Sequence, residues 1–430
     1  SNRFLKPDWD SISNYYKFNS FPYNKFQRTL RKYAKAILFN RHLSPYRLIL
    51  GILSKKKYIS LGSFDNIKKD YISKTNNFYH HYDWVDLLNI NIKYKEDDVE
   101  VKEQVKSLSE IIIHPLFLNL QKSKYTKAFV KGLDIKKIQT VWETRLIDMY
   151  NLYKNFKPLK NTKELLITEC GNSFHKIIAS IFKEKKVNVI NFSHGNDPGF
   201  LDQRWTHNWL ISVCSHYAFE SLGIKNSFHK IRKNFMLDSK EKINYLNVNS
   251  PTYKRIKISK DLVHAKNSIM ILGYPMNCKR YVDDVYHFFH YKLKLELHLI
   301  NELKKTSRKI IYKAHPDRIQ ELGSIMKNQQ IQVITDKFEK VWHKAEALIF
   351  SYVTTSTFGF AIHLPVPIIL INLKSTKWIE ERKKLLEKRV AFISNCDGDS
   401  FNQLTIENIE KALRIAKERV NLDIAKQIAE

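Results

Sequence analysis

"KIIYKAHPD" (309–317) is the stretch on which the fold turns. Ile310, Ile311 and Tyr312 form a short apolar run, which then breaks into Lys313, His315, Pro316 and Asp317. A short apolar run closed by turn residues reads as a strand buried on both faces. Forty residues earlier, "SIMILGYP" (268–275) has the same form. Between the two lies "DDVYHFFHYKLKLELHLINELKK" (283–305), an amphipathic helical pattern. Strand, helix and strand in that order form the repeating unit of a parallel sheet covered by helices.

The rhythm continues towards the C-terminus. "IQELGSIMKNQ" (319–329) reads as a helix, "IQVITD" (331–336) as a strand and "FEKVWHKA" (338–345) as a helix. "EALIFSYV" (346–353) is a strand, "TTSTFGFAIHL" (354–364) opens a helix, and "VPIILINL" (366–373) reads as the last strand. Residues 405–430 read as one amphipathic helix. An earlier zone repeats the alternation: "KELLITECG" (163–171), the helix "SFHKIIASIFKEKK" (173–186), "VNVINFSHG" (187–195), and "NWLISVCSHYAFESLG" (208–223), a strand leading to a short helix. The fold class expected is α/β, two Rossmann-like domains facing across a cleft, with a helical, basic N-terminal extension. The divisions expected are 1–150, a mostly helical, basic part of the first domain; 151–262, a Rossmann-like domain and linker (the linker at about 236–262); 263–404, a second Rossmann-like domain; and 405–430, a C-terminal helix.

The chain has 430 residues, enough for two cores, and 43% of them are hydrophobic, which suits a folded protein. Its formal charge of +30 is uneven: the first 60 residues hold 13 Lys or Arg against only Asp8 and Asp10. Within them "FQRTLRKYAKAILFNRHL" (26–43) places Phe26, Leu30, Tyr33, Ile37 and Leu38 at helical spacing among basic residues. That is the pattern of a helix lying on an anionic membrane surface, or of a solvated helix packed on its own domain. Nucleic acid is disfavoured as a partner, because no RNA- or DNA-binding motif accompanies the charge. Cys170, Cys214, Cys278 and Cys396 have no metal-ligand spacing and read as free thiols. No signal-like segment and no membrane-length apolar run is visible, so the expected location is cytoplasmic, peripheral on the inner face of the membrane.

Ligands of open parallel sheets bind beyond the carboxyl ends of the strands. Four polar clusters fall at such ends. In "TECGN" (168–172), Glu169 is either ion-paired or poised as a general base. In "SHGNDPG" (193–199), Gly195 and Gly199 admit close backbone approach, with His194 beside Asp197; the plain alternative is a turn. In "YKAHPDR" (312–318), Pro316 stiffens His315, with Lys313 two residues away on the same side of a strand. In "SYVTTSTFG" (351–359), Ser351, Thr354, Thr355, Ser356 and Thr357 supply hydroxyls for phosphate oxygens, or an ordinary helix cap. No P-loop and no GxGxxG is present, which disfavours P-loop ATPases and dinucleotide oxidoreductases.

The order of an HP pair, a Ser/Thr-rich helix start and "LPVPIIL" (364–370), together with "NFSHGNDPG" (191–199), resembles bacterial GT-B glycosyltransferases using cytidine-nucleotide donors. These include sialyl-, polysialyl- and Kdo-transferases and CDP-glycerol glycerophosphotransferases. The resemblance covers about residues 163–375. It implies an inverting transferase that moves a sugar such as a nonulosonate or Kdo from a CMP-activated donor to a surface glycan or lipid-linked acceptor. It further implies no cofactor and no required metal. Donor contacts would come from Gly195, Gly273, Tyr274, Pro275, Lys313, His315, Pro316, Ser351, Thr354, Thr355, Ser356 and Thr357, and the catalytic groups from Glu169, His194, Asp197 and His315. "SYVTTST" departs from the D-Y-S-S pattern of the glycerophosphotransferases, and no clean SS motif of the polysialyltransferases is present. A CDP-alditol phosphotransferase of the same fold, a non-catalytic polyanion- or membrane-binding protein, and a UDP-sugar epimerase are the alternatives.

Overall fold

The computed structural model describes residues 37–62, 66–82, 99–122, 131, 134–168, 173–193, 199–202, 211–219, 225–226, 243–247, 265–274, 289–374, 376–394 and 401–429. The chain forms two compact units. One takes its described residues from Ser1–Ser63, Ile72–Asn191 and Leu210–His216, the other from Phe64–Tyr71, Phe192–Trp209 and Tyr217–Glu430.

The first six-stranded sheet has the order β2-β1-β3-β4-β5-β6. Its strands are β1 (Lys57–Leu61), β2 (Tyr79–Tyr82), β3 (Thr162–Thr168), β4 (Asn188–Phe192), β5 (His216–Phe219) and β6 (Asn244–Asn247). β1 runs parallel to both β2 and β3. The helices in this part are α1 (Pro45–Leu53), α2 (Asn66–Ser73), α3 (Val99–Lys122), α4 (Ile135–Asn155) and α5 (Ser173–Glu184). α5 buries Ile178, Ile181 and Phe182 of the expected apolar side; Ile177, expected with them, is only half-buried, and Phe174 and Ala179 are buried instead.

The second sheet has the order β12-β11-β10-β7-β8-β9, and every pairing in it is parallel. Its strands are β7 (Ser268–Leu272), β8 (Lys309–Lys313), β9 (Gln332–Ile334), β10 (Ala347–Phe350), β11 (Ile368–Ile371) and β12 (Ala391–Ile393). The accompanying helices are α6 (Phe289–Leu303), α7 (Ile319–Lys327), α8 (Phe338–Val341), α9 (Ser356–Ala361), α10 (Glu380–Glu387), α11 (Ile406–Glu418) and α12 (Leu422–Ala429). Alternate residues of each strand enter different cores. Ile269 and Ile271 pack with Leu295 and Leu299 of α6 and Leu413 of α11, while Met270 and Leu272 join a cluster with Phe338 of α8 and Phe358 of α9. Burial on both faces is why the strands are continuously apolar rather than alternating.

The structure departs from the sequence expectations in five places. β1 and β2 come from the part read as mostly helical, and β1 sits between β2 and β3. β6 lies inside the stretch read as linker. In 208–223 the strand begins only at His216, because the Ser215 hydroxyl bonds both the N–H and the C=O of Val189 and fixes the register there. β12 adds a strand beyond "VPIILINL". The C-terminal segment is two helices: α11 closes at Arg419, and the Asn421 side chain accepts from the N–H groups of Asp423 and Ile424 to start α12. Of the four cysteines, Cys214 is buried, its Sγ donating to the Ile211 carbonyl at 3.3 Å; the other three lie outside the described residues, as do Phe26, Leu30 and Tyr33.

Candidate functional site

The order of the second sheet defines where a ligand would bind. From β7 the chain builds outwards to β8 and β9, then returns to the other side of β7 and builds β10, β11 and β12. The switch point is the crevice past the carboxyl ends of β7 and β10, the ligand position in doubly wound sheets. Tyr274 follows β7 there, Ser351 follows β10, and His315 follows the neighbouring β8.

A buried charged stripe on α6 ties these three strand ends together. Lys292 and Glu296 are four residues apart and share a helix face. Lys292 is fully buried; its Nζ donates to the Ser351 carbonyl oxygen at 2.6 Å and lies 5.1 Å from the centre of the Tyr274 ring. Glu296 is also buried. It accepts the Tyr274 N–H at 2.7 Å, Arg318 Nη1 at 2.9 Å and the Tyr312 hydroxyl at 2.9 Å. Arg318 Nη1 donates in turn to the Tyr274 carbonyl at 3.0 Å. Burial, then the Glu296 carboxylate, holds the Tyr312 hydroxyl well above the ordinary phenol range, so it stays a donor.

These partners decide what the sequence-identified residues do locally. Gly273 is packed against Tyr312: a Cβ there would stand 2.5 Å from the Tyr312 hydroxyl and 3.1 Å from the Lys313 carbonyl. The Tyr274 ring is buried and meets Tyr352 edge-on. Lys313 ends β8; its buried Nζ donates to the Ala314 carbonyl, and desolvation lowers its pKa against the opposing pull of Glu339 and Asp336. His315 lies past the end of β8 and so does not share a strand face with Lys313; it is half-buried, and its carbonyl accepts from Arg318 N–H. Pro316 opens a single 3-10 turn through Arg318 and is exposed.

Among the hydroxyl residues, Thr355 is the N-cap of α9, its Oγ1 accepting the Phe358 N–H at 3.0 Å. Ser351 is buried, and its Oγ has no hydrogen-bond partner among the described residues. Thr354 and Thr357 are half-buried and Ser356 is exposed. Pro275, Glu169, His194, Gly195 and Asp197 lie outside the described residues. The end of the "SHGNDPG" cluster is described. Gly199 adopts a left-handed φ of 66°, which glycine alone takes without strain, and Phe200 then buries against Phe358 of α9 and Trp378. The cluster thus leads directly onto the helix that carries the hydroxyls.

Lys292, Glu296 and Arg389 are the residues that sequence reading missed. Arg389 is buried and donates to the carbonyls of Ile362, Leu364 and Val366 beyond α9. For Lys292 and Glu296, charged residues inside an otherwise apolar helix face were the available signal; Arg389 lies past the end of α10 and carried none. Among the described residues, no group of three or more His, Cys, Asp or Glu side chains is placed to hold a metal ion.

The molecule is thus an α/β protein of two six-stranded sheets, the second doubly wound with its polar clusters at the switch point. No protein-family profile matches the chain, and no curated protein matches it by sequence. Solved structures that it resembles include the UDP-GlcNAc 2-epimerase of Methanocaldococcus jannaschii in complex with UDP-GlcNAc and UDP (17% identity, 87% of this chain and 98% of that one, TM-score 0.44). Others are the wall teichoic acid polymerase TagF (11%, 95% and 97%, TM-score 0.40) and Acinetobacter baumannii MurG (12%, 66% and 78%, TM-score 0.36). With TM-scores below 0.5, these likenesses bear on neither donor nor reaction.

Proposed function

We propose that the chain is an inverting GT-B glycosyltransferase whose nucleotide-sugar donor binds at the switch point of the second sheet. The observation that carries this reading is the meeting of Tyr274, His315 and Ser351 at the carboxyl ends of the adjacent strands β7, β8 and β10. The buried Ser351 hydroxyl, without a hydrogen-bond partner among the described residues, supports a polar ligand there, since such a group left without a partner costs about 1–3 kcal/mol.

In this reading the donor is CMP-activated, the sugar a nonulosonate or Kdo, and the acceptor a surface glycan or lipid-linked glycan. The acceptor oxygen attacks the anomeric carbon as the bond to the CMP phosphate breaks, its electron pair leaving with the phosphate oxygen. The acceptor proton passes to a base drawn from Glu169, His194 and Asp197. His315 and the Ser351–Thr357 hydroxyls would hydrogen-bond the departing phosphate, so the reaction calls for no resident metal.

Thermal-shift titration with CMP, CDP and UDP tests the site, followed by turnover assays with CMP-sugars and CDP-alditols. Stabilisation by cytidine nucleotides and consumption of a CMP-sugar, lost in His315→Ala without loss of fold, is the expected result. Preference for UDP would overturn the donor class, and consumption of CDP-alditols alone would reassign the chain as a phosphotransferase.

A further inference from the structure

α1 is a nine-residue helix whose two sides are both apolar, yet among the described residues only one of them is packed. Leu48 and Ile52 lie against the buried Leu43 and Phe78. Gly51 lies against the same Phe78, so closely that a Cβ there would collide with the ring. This fixes the helix rotation, and the opposite stripe faces solvent. Tyr46, Ile49, Leu50 and Leu53, at i, i+3, i+4 and i+7, are all exposed, Tyr46 at 71% and Leu53 at 74%. Ile37 and Leu38, just before the helix in the chain, are exposed as well. Scattered exposed apolar residues need no explanation, but a helical stripe of them marks an interaction surface.

The charge around the stripe says what would cover it. Between residues 37 and 62 there are five basic residues and no acidic one. Arg41, Arg47, Lys55 and Lys56 are exposed. Exposed apolar residues in a basic stretch without acidic residues complement a bilayer that offers hydrocarbon beneath anionic headgroups. Among the described residues no helix is long and apolar enough to cross a membrane, so the contact would be with the surface.

We propose that the exposed stripe of α1, with its basic rim, docks the protein on an anionic lipid bilayer. Sequence reading placed such a contact on 26–43; the packing moves its apolar part to Ile37, Leu38 and the outer face of α1. The proposal stands apart from the glycosyltransferase reading, since it concerns a different part of the chain.

Cosedimentation of the full chain with vesicles tests it, using pure phosphatidylcholine or phosphatidylcholine containing phosphatidylglycerol. Binding is expected to the anionic vesicles, weakening with salt. The double variant Ile49→Asp/Leu53→Asp should lose affinity by about tenfold or more, and Lys55→Glu/Lys56→Glu by a similar factor. Both should keep the native thermal midpoint, because the altered side chains are exposed. Equal binding of the Asp variant, equal binding to neutral vesicles, or no binding of the native chain would overturn the proposal. So would concentration-dependent self-association that the Asp variant abolishes, which would assign the face to a second copy of the chain. Nucleotide-induced thermal shifts should be unchanged in both variants. Their absence from the native chain would count against the proposed function and leave the vesicle result intact.

Discussion

Lys292 Nζ sits 2.6 Å from the carbonyl oxygen of Ser351, joining α6 to the carboxyl end of β10 at the point where the sheet reverses its strand order. An amine donor in that buried position stabilises the turn after β10 beside the proposed ligand crevice. Lys292→Met keeps the stem and removes the donor. It should lower stability by about 1–3 kcal/mol, the cost of leaving a buried carbonyl without its donor. It should also weaken the nucleotide-induced thermal shift by more than that loss of stability accounts for. A purely structural lysine would lower the midpoint and leave the shift intact.

The Glu296–Arg318 pair is fully buried and also bonds Tyr274 and Tyr312. Removing one partner leaves an uncompensated charge, so Arg318→Met should cost about 3–5 kcal/mol. Glu296→Gln/Arg318→Met should recover part of that loss. Urea denaturation of the two singles and the double gives the coupling directly.

Gly273→Ala should destabilise by about 1–3 kcal/mol through overpacking against the Tyr312 hydroxyl. Adding Tyr312→Phe should not restore the native midpoint, since the Lys313 carbonyl still crowds the new methyl and Glu296 loses a donor. Full rescue by the double variant would show that the hydroxyl was the whole obstacle.

His363 supplies a pH dependence. Burial lowers its pKa to about 4, against the hydrogen bond with the Gly359 carbonyl and with further lowering by the nearby Arg389 charge. Above about pH 6.5 the imidazole is neutral whether the chain is folded or unfolded. As the pH falls towards 4 the unfolded chain gains a proton that the native state refuses, so stability drops across that window by up to about 3 kcal/mol. His363→Gln should flatten this part of the profile, measured as denaturation midpoints between pH 7 and 4. An unchanged slope would rule out His363 as its source.

Much of the second sheet was legible because its strands are buried on both faces and therefore spell continuous apolar runs: "SIMIL", "KIIYK" and "IILI" all became strands. β1 was not legible. "KYISL" is short, begins among three lysines, and becomes a strand only because β2 and β3 pair with its two edges. The C-terminal break was half visible, since Asn421 is a good cap residue in any sequence, but the preceding periodicity hides it.

The candidate site divides in the same way. Sequence by itself placed His315 and the Ser/Thr run at strand ends, because turn residues after apolar runs follow from local chemistry. Only tertiary structure decided that β7, β8 and β10 are neighbours, that Thr355 is spent on capping α9, and that Ser351 has no partner among the described residues. The partners of Lys292, Glu296 and Arg318 were likewise not legible in the chain. A charged residue declares its partners only when packing removes water from around it, and those partners lie up to 59 residues away.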